Sequence, residues 1–460
     1  MRLKILAFSL ILVFVATAGL GCKTLSREVK DSMQPVVLNY WRVWEGPDDF
    51  AELIGRYNAQ HPYVTINYRK LTYEEYENAL VDALAEDRGP DIFSIQNTWV
   101  KKYQTKIAPM PETITMVYPI EKGTIKKEVI PELRTTRSIS AADVRNAFID
   151  TVYQDVVISA EGKQFIYGLP LSVDTMVMFF NKDLLNNAGI AELPPYWNRD
   201  FQEAIKKLTR QDARGEILQA GVALGGGDSI ERSVDILATL MMQNGAVMME
   251  NNSVMFNQVP NIFRERGYNP GMEAVRFYTD FANPAKEVYS WNDDLENSLQ
   301  QFINGRLAIF FGYAYNLPVI KAQAPRLNLG IQKFPQIEGA SVEVNSANYW
   351  VETVSAKSRH KNEAWNFVQF MTTQPDNAKI FLERTKKPTA LRTLIPGQLE
   401  DDDLKVFASQ LLTAKSWYRG RDVISAERAL HEMIEAVVMN PDNLVEAVNL
   451  SASRIQQTIY

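Results

Sequence analysis

Between Val36 and Ile95 the chain alternates strand and helix signals, and this alternation restricts its fold more sharply than any other feature. Val36-Val37-Leu38-Asn39-Tyr40-Trp41 has strand composition. Beyond the turn at Gly46-Pro47, Asp48 is positioned to cap a helix whose apolar residues Phe50, Leu53, Ile54 and Tyr57 share one stripe. Val64-Thr65-Ile66-Asn67-Tyr68 reads as the next strand. Thr72 and Glu75 stand at capping-box spacing before a helix burying Tyr76, Leu80, Ala83 and Leu84. Gly89-Pro90 ends that helix, and Ile92-Phe93-Ser94-Ile95 makes a third strand. Strands separated by helices require right-handed crossovers and a mainly parallel sheet, so the fold class is α/β.

The alternation lapses over 100–165, where Pro109, Pro111, Pro119 and Pro131 punctuate the first half and 141–158 reads as helical. It resumes with a strand at 176–180 and further strands near 218–224 and 307–311. Helices are expected near 199–209, 229–243, 270–282 and 293–304, and the stretch 345–460 reads as mostly helical apart from a strand at 349–354.

The N-terminus adds a location. Arg2 and Lys4 precede an apolar run from Ile5 to Val15, then small residues ending in Gly21-Cys22, the composition of an export signal. Cys22 is the only cysteine, so it forms no internal disulfide. The segment resembles a lipoprotein lipobox, with Gly19 where that pattern prefers Leu; the resemblance implies cleavage after residue 21 and lipidation of Cys22. Residues 23–34 are polar and read as a tether. A net charge of −6 argues against nucleic acid, whose binding rests on basic patches. The three histidines are far apart and lack ligand spacing, so neither a metal nor a cofactor is expected. His61, before Pro62, is expected to be solvated.

Several later segments, in order, resemble the extracellular solute-binding proteins of ABC importers, in the family that includes maltose-binding protein. They are Gly168-Leu169-Pro170 with Asp174 and Phe180-Asn181-Lys182-Asp183, then Phe302-Ile303-Asn304-Gly305-Arg306-Leu307-Ala308, then Glu363-Ala364-Trp365-Asn366-Phe367. The resemblance covers roughly 36–95 and 165–455, and 100–160 match poorly. It implies a two-lobed, periplasmic-binding-protein-like (type II) fold with a hinge between lobes. One lobe would hold 36–171 and 335–385, the other 172–334 and 386–460. It further implies a monomer that takes a sugar or oligosaccharide in the interlobe cleft and delivers it to permease subunits, held to the membrane through Cys22 outside the cytoplasm. An exported carbohydrate-active enzyme and a receptor of this fold without transport stand as alternatives, although no nucleophile or metal motif supports catalysis.

In open α/β sheets ligands bind beyond the C-terminal strand ends. Sugars need aromatic faces for their C–H surfaces and fixed polar groups for their hydroxyls. Trp44, Glu45, Asn97 and Trp99 follow predicted strands and meet both needs. The resemblance adds Asp174 as an acidic sugar ligand and Tyr313 as a stacking aromatic. Asp228, closing Gly225-Gly226-Gly227, could contact ligand or cap the next helix. Trp350 lies where relatives carry glycines near the ligand, and Trp417 could close the far side. Trp365 reads as core, while Trp197 and Trp291 are undecided.

Overall fold

The computed structural model describes residues 26–124 and 127–460. Cys22 and the export signal lie outside the described residues. The alternating segment forms the strands Val36–Arg42, Val64–Lys70 and Ile92–Gln96 and the helices Pro47–Gln60 and Tyr73–Ala85. The first strand pairs in parallel with both others, and the late strand Trp350–Val354 adds to Ile92–Gln96 in antiparallel sense. This four-stranded sheet buries Phe50, Leu53 and Tyr57 on one helix and Tyr76, Leu80, Ala83 and Leu84 on the other. Two caps differ from expectation. The first helix starts two residues early because Pro47 is well suited to its first turn, so Gly46 caps it and donates its N–H to Asp49 Oδ2 at 2.8 Å. Thr72 does cap the second helix, but without a side-chain hydrogen bond.

A second, five-stranded sheet is built from Val177–Asn181, Arg210–Gln211, Ile217–Val222, Leu307–Gly312 and Leu329–Lys333. Only Ile217–Val222 and Leu307–Gly312 run parallel within it. A small third sheet joins the two bodies: Asp174–Thr175 pairs with Asn345–Asn348, whose other edge pairs with Ala414–Lys415. Three separate stretches of chain therefore lie side by side at the junction, the arrangement of a hinge. The last two strands of this junction had no signal in a stretch read as helical.

The least periodic region holds the largest departures. Thr113–Lys122 and Glu128–Arg137 form a long antiparallel hairpin, with Pro119 opposite Pro131. The helical reading of 141–158 splits into Ala141–Ala147 and Asp150–Val156, because Phe148 is extended and bridges to Leu391. The hairpin also overturns the expected solvation of His61. That ring is 3% exposed, packed between Tyr57 at 4.6 Å and Tyr118 of the hairpin at 4.8 Å.

Candidate functional site

The first sheet presents aromatic residues along one edge. Trp44 follows Val36–Arg42, Tyr73 follows Val64–Lys70, Trp99 follows Ile92–Gln96, and Trp350 opens the antiparallel strand directly opposite Gln96. Because these positions end neighbouring strands at the same side, the rings meet. Trp44 stacks on Tyr73 with centroids 5.4 Å apart, Tyr73 meets Trp350 edge-on at 6.5 Å, and Trp350 meets Trp99 at 5.7 Å. Trp99 in turn stacks on Tyr103 at 5.9 Å. Trp44 and Tyr73 are 52% and 47% exposed, whereas Trp99 is buried with an indole N–H that has no partner.

The corresponding edge of the second sheet faces this belt. Leu307–Gly312 ends in Tyr313-Ala314-Tyr315, and Asp174 lies just before Val177–Asn181 begins. Asp174 Oδ1 accepts the backbone N–H of Ala314 at 3.0 Å and of Thr175 at 2.9 Å, which pins the bend to the hinge. Burial pushes its carboxyl up to about 7, although those N–H groups and Lys387 favour the ionised form. Arg232, in a left-handed conformation, pairs with Asp235 at 2.8 Å and with Glu427 at 3.5 Å. Burial raises the Tyr73 hydroxyl pKa, and Glu427 adds to the rise while Arg232 opposes it; these charges of the second body thus act on a ring of the first. The two bodies touch directly where Lys101 Nζ donates to Asn252 Oδ1 at 2.8 Å.

Several anticipated residues take other roles. Glu45 is 5% exposed and saturated: Arg42 Nη2 lies 2.8 Å from Oε2, and Lys387 occupies Oε1. Burial would raise this carboxyl, but Arg42 and Lys387 outweigh it and hold it at about 2. Glu45 therefore has no free edge for a ligand, and Lys387, which sequence reasoning missed, carries its influence towards Asp174. Arg42 also pairs with the fully buried Glu352, which accepts from Tyr40 at 2.6 Å and Ser94 at 2.5 Å. Tyr313 is likewise buried, its hydroxyl donating to Asp235 at 2.7 Å, so the exposed aromatic at that bend is Tyr315, stacked on it at 5.7 Å.

Asn97 is buried and donates to Ser416 Oγ at 2.8 Å and to Asp155 Oδ2 at 3.3 Å. Asp228 does not cap the next helix, which Arg232 precedes; it is exposed and pairs with His431 Nδ1 at 2.6 Å. The glycines before it are needed by the turn, since Gly225 has φ +102 and a Cβ there would sit 2.5 Å from the Ala282 nitrogen. Trp417 is 6% exposed and tilts against Tyr418. Trp365, Trp197 and Trp291 are all core, with the Trp197 and Trp291 N–H groups donating to Gln243 and Ser229. The strand-end rule that found Trp44 and Trp99 applies equally to Tyr73. Among the described residues no cluster of His, Cys, Asp or Glu could hold a metal ion, and no helix is long and apolar enough to cross a membrane.

Two α/β bodies joined by hinge strands, with aromatic and polar groups on facing edges, define the architecture of a two-lobed solute-binding protein. The chain belongs to the bacterial extracellular solute-binding protein family, whose profile matches residues 44–378. It is 26% identical over 215 residues to the multiple sugar-binding protein of Streptococcus mutans, covering 46% of this chain and 48% of that one, so the match spans about half the relative's length. It is 22% identical to the galactooligosaccharide-binding protein of Bacillus subtilis, covering 83% of this chain and 79% of that one. In three dimensions it resembles the cyclic alpha-maltosyl-1,6-maltose binding protein from Arthrobacter globiformis at a TM-score of 0.70 and 16% identity, covering 92% of this chain and 99% of that one. These likenesses bear out the two-lobed α/β fold.

Proposed function

We propose that the protein is the substrate-binding component of an ABC importer, that it takes a sugar or oligosaccharide between its lobes, and that it hands this ligand to permease subunits as a monomer. The observation that carries the reading is the aromatic belt Trp44–Tyr73–Trp350–Trp99, set opposite the polar edge of Asp174, Tyr315, Arg232 and Glu427. Pyranose rings offer apolar C–H faces that lie flat on such rings, while their hydroxyls need fixed partners once water is removed. The names of the Streptococcus mutans and Bacillus subtilis relatives favour the same ligand class.

The lobes in this reading comprise 36–171 with 335–385, and 172–334 with 386–460, the chain crossing at the hinge strands. Residues 1–21 are an export signal and Cys22 carries lipid, so that 23–35 tether the body outside the cytoplasmic membrane. More than one acyl chain is required for firm retention. Calorimetric titration of the mature protein with maltotetraose, galactooligosaccharides, monosaccharides and polyols tests the ligand class. Saturable heat with at least one saccharide is expected, and silence across the whole panel refutes it.

A further inference from the structure

A carboxylate lies buried at the lobe junction. Asp155, on the helix Asp150–Val156, is 6% exposed and gathers donors from both lobes. From its own side come Tyr349 OH at 2.7 Å, Asn97 Nδ2 at 3.3 Å and Thr151 Oγ1 at 3.4 Å. Across the junction come Ser416 Oγ at 2.5 Å and Arg419 Nε at 2.8 Å. The segment carrying Ser416 and Arg419 is fixed to the second lobe, because Tyr418 donates to the Thr458 carbonyl at 3.0 Å and Arg419 N–H reaches the Met249 sulfur at 3.4 Å. Asn97 directly follows the strand Ile92–Gln96 of the aromatic edge, and its backbone N–H is held by the Tyr349 carbonyl at 3.0 Å, next to Trp350.

We propose that Asp155 is a positioning residue that couples closure of the lobes to the aromatic edge, with Arg419 as its partner across the hinge. A buried carboxylate is stabilised only while paired and hydrogen-bonded. Swinging the second lobe away withdraws the Arg419 and Ser416 donors and leaves Asp155 with neutral partners alone, so the closed arrangement is favoured even without ligand. Closing restores those donors and fixes Asn97 and Tyr349, hence the setting of Trp99 and Trp350. An affinity measured against a partly closed population scales with the competent fraction, so losing the pair weakens binding without touching ligand.

The test is small-angle X-ray scattering of the ligand-free, full-length protein alongside Arg419→Gln and Asp155→Asn variants. Arg419→Gln is the safer change because that side chain is 37% exposed and lies at the rim. Wild type is expected to scatter as the closed form, and Arg419→Gln to scatter as a more open particle that still unfolds in one cooperative transition. Its affinity for whichever panel saccharide binds the wild type is expected to fall about tenfold, equivalent to about 1.4 kcal/mol. Lys101→Gln, which removes only the exposed rim contact, should leave the scattering curve unaltered. An open wild type overturns the proposal, as does an Arg419→Gln curve superimposable on wild type. Because scattering needs no ligand, these outcomes are independent of whether the ligand is a sugar.

Discussion

Trp44 offers the sharpest separation between binding and stability. One face of its indole lies on Tyr73, and the residue is 52% exposed. A covered Trp buries about 200 Å², so about 100 Å² is left for a ligand. At about 25 cal/mol per Å² that surface is worth up to about 2.5 kcal/mol, and about half as much if the sugar covers only part of the free face. Trp44→Ala should therefore weaken saccharide binding by about eightfold to seventyfold. The fold should lose only the ring contact with Tyr73, about 0.5–1.5 kcal/mol. Isothermal titration reads the affinity and differential scanning calorimetry the stability. Trp365→Ala is the contrasting control: that side chain is 0% exposed, and its removal should cost about 3–5 kcal/mol of stability. Wild-type affinity in a folded Trp44→Ala variant would refute the placement of the ligand against the belt.

Asp174 binds hydroxyls best as a carboxylate, and burial pushes it up to about 7, so affinity should rise between pH 6 and pH 8; Asp174→Asn should flatten that profile in a titration series. The sign for stability is opposite: its raised folded pKa favours the native state below the ordinary 3.8, and this contribution is lost as pH rises through about 7. Glu45 is held at about 2 against a usual 4.5, so the stability from its pairing with Arg42 and Lys387 is present above 4.5 and lost as pH falls towards 2. That amounts to at most about 3 kcal/mol, and Glu45→Gln should remove it from an acid-unfolding curve. Replacing Cys22 with Ser should release the protein from the membrane fraction on cell fractionation; continued retention would count against the lipid anchor.

Much of the first lobe is legible locally. Phe50, Leu53 and Tyr57 announce a helix by spacing, and they are buried as that spacing requires. Strand ends and resemblance point to Trp44, Trp99 and Trp350, and the register of four neighbouring strands brings them together. What stayed hidden depends on contacts made over long stretches of chain. Glu45 is quenched by Lys387, 342 residues away, and Asp155 meets Tyr349 and Arg419 at separations of 194 and 264. No local pattern carries such pairings. The hairpin at 113–137 was obscured by prolines that normally interrupt strands, yet Pro119 and Pro131 face each other in a two-stranded ribbon.

A crystal structure with the tightest-binding saccharide of the panel addresses the central claim most directly. The account predicts a pyranose ring lying on Trp44 or Trp350, with ring hydroxyls reaching Asp174 from the second lobe. A saccharide bound away from the hinge, or one seated between the lobes without touching the aromatic belt, would contradict it.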